Sequence, residues 1–169
     1  MGDGRSDIIG PYGWLEAPVD RRKGKWQWRA EYKMERDTGI PILARDVDGD
    51  GDLDLFIGAR SLPRNYPQPA DSWIYINEDG VWKESPAWSA ALRDIGLISG
   101  AVFSNIDAHP LPDLLLACDW GTPKILTNTG TGFIDRTNQY GLAKFTGFWR
   151  GIDTGDFNGD GRMDFVAAN

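Results

Sequence analysis

The sequence predicts an all-β protein: a β-propeller of four-stranded antiparallel blades, about three per chain, as a partial ring or one completed by an oligomer. Three observations predict it. A nine-residue Asp/Gly loop, Asp46 to Asp54, recurs as Asp156 to Asp164, with a degenerate copy from Asn105 to Asp113 and a half copy from Gly2 to Asp7. The last Asp of each copy falls at 7, 54, 113 and 164, giving intervals of 47, 59 and 51 residues. These are close to the ~40 to 50 residues of a four-stranded propeller blade. Each copy then runs into a short apolar segment suited to a buried central strand, such as Leu53 to Ala59, Asp113 to Ala117 and Asp164 to Ala168.

Residues 1–37 are expected to form a partial blade, with Asp7 to Gly10, Gly13 to Glu16 and Lys25 to Ala30 as its second, third and fourth strands. Arg21 to Lys25 is then a solvated hairpin tip. Residues 38–98 form a full blade with strands at Pro41 to Asp46, Leu53 to Ala59, Trp73 to Asn77 and Val81 to Glu84, the last two joined by an Asp79-Gly80 turn. Ala87 to Ile95 suits one short helical turn. Residues 99–149 repeat the blade with Ala101 to Ser104, Asp113 to Cys118, Pro123 to Asn128 and Phe133 to Thr137. Residues 150–169 supply the first two strands of another, Gly151 to Asp156 and Asp164 to Ala168, so the repeat is interrupted at both ends of the sequence.

Composition narrows the function. Of 169 residues, 41% are hydrophobic and 25% charged, which suits a globular fold. The net charge of −7 disfavours nucleic acid as a partner. The longest apolar run, Leu114 to Cys118, is far too short to span a bilayer, and Met1 to Arg5 shows no signal-peptide core. Cys118 is the only cysteine, which excludes an intrachain disulfide or a thiolate zinc cluster and predicts a buried thiol. Among the acids, 20 are Asp and 5 Glu, a skew towards turns and oxygen-ligand metal loops.

The loop chemistry points to Ca²⁺. Asp46, Asp48, Asp50 and Asp54 occupy loop positions one, three, five and nine, and two glycines let the backbone wrap a centre. Such crowded carboxylates repel unless a hard cation sits among them, and Ca²⁺ accepts six to eight oxygens in flexible geometry. Asp52 is expected to contribute its carbonyl at position seven, with its side chain in solvent. Asp156, Asn158, Asp160 and Asp164 take the same roles in the last loop, with the Arg162 carbonyl at position seven. The middle loop offers Asn105, Asp107, His109 and Asp113, and Pro110 replaces the position-six glycine, so a weak or lost metal site is expected there. Only Asp3 and Asp7 remain in the half copy. An EF-hand is excluded because position twelve is Ile57 or Ala167, in apparent strands.

The pattern Asp-x-Asp/Asn-Gly-Asp-Gly-x-x-Asp with its following apolar strand resembles the FG-GAP or VCBS repeat of integrin α-subunit propellers and of many secreted bacterial proteins. Ser99 to Phe103, Cys118 to Pro123, Phe133 to Thr137 and Gly155 to Gly161 are similar to bacterial relatives of cartilage acidic protein, the ASPIC/UnbV group. The resemblance implies a propeller, usually of seven blades, in extracellular or periplasmic proteins. It implies Ca²⁺ between strands one and two, and binding or adhesion rather than a reaction.

Hairpins alternate ends, so the loops between strands two and three lie opposite the metal loops. Tyr12, Trp14, Arg60, Arg64, Tyr66, Asp119, Trp120, Phe148, Trp149 and Arg150 gather there, residue types common at binding hot spots. Trp14, Tyr66 and Trp120 are the better surface candidates, whereas Trp26, Trp28, Trp73 and Trp82 are expected to pack within strands. The expected function is protein or glycan binding with a structural metal. A glycan-cleaving enzyme, with Asp119 or Glu16 as acid, is the alternative. No Ser-His-Asp, HExxH or phosphate-loop motif favours catalysis. Three blades leave two faces unburied, so a homodimer closing the ring, with no ligand of its own, is the third reading.

Overall fold

The computed structural model describes residues 5–10, 13–30 and 39–169. Four antiparallel sheets follow one another along the chain. The first has order β1-β2-β3, from β1 (Ile8–Gly10), β2 (Gly13–Glu16) and β3 (Gln27–Arg29). The second runs β4-β5-β6-β7, from β4 (Gly39–Arg45), β5 (Asp54–Ala59), β6 (Trp73–Glu78) and β7 (Val81–Glu84). One helical turn, α1 (Pro86–Ser89), and a 3-10 turn at Ala90–Leu92 lead to the third sheet. Ser85 caps α1 by accepting the Trp88 N–H, and Pro86 follows with the φ a helix start needs.

The third sheet comprises β8 (Leu97–Ser104), β9 (Asp113–Gly121), β10 (Lys124–Asn128) and β11 (Phe133–Asp135). A two-residue strand, β12 (Gly147–Phe148), pairs with the far end of β9. The fourth sheet is the hairpin of β13 (Gly151–Gly155) and β14 (Asp164–Ala168). The protein is therefore all-β and fits a partial β-propeller; among the described residues the sheets close no ring. The anticipated strands appear in the anticipated order. The structure adds β12, extends β9 to Gly121 and starts β8 at Leu97, with a bulge between Ile98 and Gly100.

Alternation along the inner strands builds the core. On β9, Leu114, Leu116 and Cys118 join Phe56, Ile74, Trp88, Leu92 and Ile98 in one cluster between the second and third sheets. Leu115 and Ala117 on its opposite face are equally buried. Such two-sided burial explains why β9 reads as an unbroken apolar run. A smaller cluster, Leu55 and Ile57 with Ile9, Ile42 and Trp73, joins the first sheet to the second. Cys118 is buried as expected, and burial pushes its thiol up to about 12.

Two tryptophan expectations are reversed. Trp14 is buried, 5% exposed, because it sits on β2, the middle strand of its sheet, and not in a surface loop. Trp26 and Trp28, expected to pack, are 37% and 52% exposed, near or on the edge strand β3. Ile8 at the same end, and Phe157, Met163 and Val166 at the other, are also exposed.

Candidate functional site

The loop from Asp46 to Asp54 is built by nested side-chain turns. Asp46 accepts the Gly49 N–H on Oδ1 (2.7 Å) and the Gly51 N–H on Oδ2 (3.1 Å). Asp48 Oδ1 accepts from Asp50 N–H and Asp50 Oδ1 from Asp52 N–H. Short acidic side chains bond their own backbone two residues on, so the sequence Asp-x-Asp-x-Asp curls inward upon itself. The outcome is three carboxylates, Asp46, Asp48 and Asp50, with oxygens within 4.8 Å of one another. Burial, and then the like charges of Asp50 and Asp46, push the Asp48 carboxyl above its ordinary value. The Asp52 side chain is exposed, as expected.

Asp54 is fully buried and also braces the loop. Its Oδ2 accepts the Val47 N–H and its Oδ1 the Asn77 N–H, both at 2.9 Å, so it staples the loop to β6. Burial pushes its carboxyl up to about 6. Asp113 repeats the arrangement, accepting Ile106 N–H (2.8 Å) and Asn128 N–H (2.9 Å). Asp7 accepts Ala17 N–H, and Asp164 accepts Phe157 N–H. The position-nine Asp thus has a structural role that does not depend on whether its loop keeps the other acidic positions.

The loop from Asp156 to Asp164 copies the turns: Asp156 accepts from Gly159, Asp160 and Gly161 N–H, Asn158 from Asp160 N–H, and Asp160 from Arg162 N–H. Its electrostatics differ. The Arg162 guanidinium lies on Asp160 (Nη2 to Oδ2, 2.8 Å) and brings that carboxyl down to about 2.

The middle loop is closed by its own polar groups. Asn105 donates its amide to the His109 carbonyl, Asp107 accepts the His109 N–H, and His109 Nδ1 accepts the Leu111 N–H at 3.4 Å. Ala108 takes a left-handed φ of 65° where Gly49 and Gly159 have 85° and 78°. A side chain there is strained, so the loop keeps the shape of its relatives at a cost. Gly49 itself is confined: a Cβ would lie 2.9 Å from Leu111 of the neighbouring loop.

Two asparagines escaped the sequence reading. Asn77 stands one residue before the end of β6 and Asn128 ends the third strand of its sheet, each accepting the N–H of a turn glycine, Gly80 or Gly130. Their amides reach the carbonyls of Leu53 and Pro112 at loop position eight, and Asn128 also reaches the Val47 carbonyl of the adjacent loop. Their signal was a repeat: Asn77 precedes an Asp-Gly turn and Asn128 a Thr-Gly turn at matching places.

At the other end of the strands a second cluster forms. Asp119, fully buried in its side chain, is ion-paired with Arg60 from the end of β5 and lies 3.7 Å from Arg150 Nε, ahead of β13. One carboxylate therefore links three successive sheets. Trp120 Nε1 donates to the Tyr66 hydroxyl, its ring meets Phe148 edge-on at 5.1 Å, and Arg60 and Arg150 cover the Tyr66 and Phe148 rings. Trp149 is half-buried and donates to the Phe145 carbonyl, Arg64 is exposed on the β5–β6 connection, and Tyr12 lies outside the described residues. The structure thus brings Tyr66, Asp119 and Trp120 together and leaves Trp14 elsewhere.

Four antiparallel sheets, three of them with the nine-residue loop or its degenerate copy between first and second strands, are consistent with a propeller-type repeat. The profile of the FG-GAP-like repeat matches residues 105–167, from the degenerate loop through most of β14. Residues 105–167 are thus similar to an FG-GAP-like repeat, and the antiparallel sheets are consistent with a partial β-propeller. A search of curated proteins finds no match. Among the described residues, no helix is long and apolar enough to cross a membrane.

Proposed function

We propose that the protein is a Ca²⁺-binding propeller module acting in extracellular recognition of a protein or glycan, with the metal in a structural role. The observation that carries the metal reading is the convergence of Asp46, Asp48 and Asp50, with oxygens within 4.8 Å of one another. The donor set fits Ca²⁺: all oxygen, anionic, on a flexible loop, with the Asp52 carbonyl and Asp54 completing it. Bound there, the ion neutralises the mutual repulsion of the carboxylates and holds the loop closed. Asp156, Asn158, Asp160, Asp164 and the Arg162 carbonyl form the second, weaker site, because the Arg162 side chain competes for Asp160. The loop of Asn105, Asp107, His109 and Asp113 holds none.

A binding role is favoured over glycan cleavage by the placement of the two candidate acids. Glu16 is paired with Arg5 and Arg29, and Asp119 with Arg60, so each carboxylate is engaged in holding the fold together. Extracellular Ca²⁺ is millimolar, which suits modules with site constants near 10⁻⁴ M.

The metal reading is tested by melting the protein in ~1 mM Ca²⁺ and in EDTA. At a site constant of ~10⁻⁴ M, mass action gives about 1.4 kcal/mol, hence a Tm higher by about 3 to 6 °C in Ca²⁺. Equal melting in a verified metal-free sample would sink the assignment. The ranking of the sites has its own test: Arg162→Ala should tighten Ca²⁺ binding at the second loop by about 2- to 5-fold, since an exposed charge pair is worth little more. Calorimetric titration reads it, and weaker binding in the variant would contradict the ranking.

A further inference from the structure

We propose that the cleft between the second and third sheets, walled by Trp120 and Tyr66, binds a neutral saccharide, with one pyranose ring stacked on the Trp120 indole. The inference rests on the reading of the protein as a recognition module and names where and what it recognises. The cleft measures about 660 Å³, within the range of small-ligand sites. It lies at the end of β9 remote from the degenerate loop, about 20 Å along the strand from Asp113 at ~3.3 Å per residue.

Trp120 is 69% exposed yet firmly placed. Its indole N–H is held by the Tyr66 hydroxyl, its ring abuts Phe148, and its backbone takes a φ of 56° that a bulky residue seldom adopts. An exposed aromatic face already fixed in position loses little freedom when a ligand lands on it. The negative face of the ring attracts the C–H groups that line one side of a pyranose. Around it the cleft offers apolar surface from Pro67, Ile95 and Leu97 and hydroxyls from Thr122 and Thr146. That mixture matches a molecule with one apolar face and a hydroxyl rim.

Charge decides against an ionic ligand. The two charged side chains lining the cleft are ion-paired within the protein: Asp119 with Arg60 through Oδ2 and, at 3.7 Å, with Arg150, which leaves its buried Oδ1 without a hydrogen bond, and Lys124 with Asp135 at 3.5 Å. An anion would have to displace Asp119 from its arginines, and a cation would meet those arginines. Strand addition by a peptide is also disfavoured. At Asp119 to Gly121, β9 is already paired on one side with Leu97 of β8 and meets Gly147 and Phe148 of β12.

The test titrates the Ca²⁺-loaded protein with cellohexaose, xylohexaose, mannohexaose and chitohexaose, read by tryptophan fluorescence and calorimetry. At least one sugar should bind with a fluorescence change. Trp120→Ala should weaken it about tenfold or more, Tyr66→Phe should weaken it less, and Trp28→Ala, at an exposed tryptophan elsewhere, should leave it unchanged. Binding that survives Trp120→Ala, or no binding across the panel, overturns the proposal. Saturation by decaproline in place of every sugar overturns it in favour of a peptide groove. A Tm that rises in Ca²⁺ while no sugar binds leaves the metal reading standing and removes only this site; sugar binding without a Ca²⁺ effect does the reverse.

Discussion

Replacing Asp113 by alanine should destabilise the protein by about 3 kcal/mol or more, measured as a fall in the urea midpoint at constant m. The carboxylate is fully buried, and it receives the Ile106 and Asn128 N–H groups from two separate segments. Alanine leaves those amides without a partner, each costing about 1 to 3 kcal/mol, and opens a cavity as well. Against a typical total of ~5 to 15 kcal/mol, that is a large fraction. The effect should be the same in Ca²⁺ and in EDTA, since the loop it closes is the one whose acidic positions have decayed. A loss under ~1 kcal/mol would show that the position-nine Asp is not a staple.

The second large effect concerns the intact loop. In Asp48→Ala/Asp50→Ala, two of the three clustered carboxylates are gone, while Asp54 still bridges Val47 and Asn77. The fold should persist with the Ca²⁺-dependent rise in Tm reduced to the contribution of the second, weaker loop. In EDTA the variant should melt close to the wild type, because the lost turn bonds from Asp50 and Asp52 N–H are exposed and their loss is offset by removal of two like charges from the cluster. An undiminished Ca²⁺ response in this variant would place the stabilising ion elsewhere.

Much of this was legible in the sequence because its causes are local. Asp and Gly at fixed spacing dictate the nested turns, and the apolar run after each loop dictates a buried strand, so loops and strands fell where expected. Pro110 in place of the position-six glycine sets the middle loop apart, and that loop is closed by hydrogen bonds among Asn105, Asp107, His109 and Leu111. What was not legible depends on partners far along the chain. Trp14 and Trp28 lie on adjacent strands of one sheet, yet their exposures are opposite to expectation, because burial depends on which sheet packs against which face. Arg60 and Asp119 stand 59 residues apart, and nothing near either one announces the pair. β12 is two residues long and exists only because β9 offers it an edge. The Asn77 and Asn128 clamps read as ordinary turn residues until their amides are seen to reach loop carbonyls.

The most direct measurement is calorimetric titration of Ca²⁺ into metal-free protein, wild type beside Asp48→Ala/Asp50→Ala. A tighter site of about 10⁻⁴ M, present in the wild type and missing from the variant, is the predicted result. Identical isotherms for the two proteins, or no binding heat in the wild type, would contradict the claim that the loop from Asp46 to Asp54 is a Ca²⁺ site.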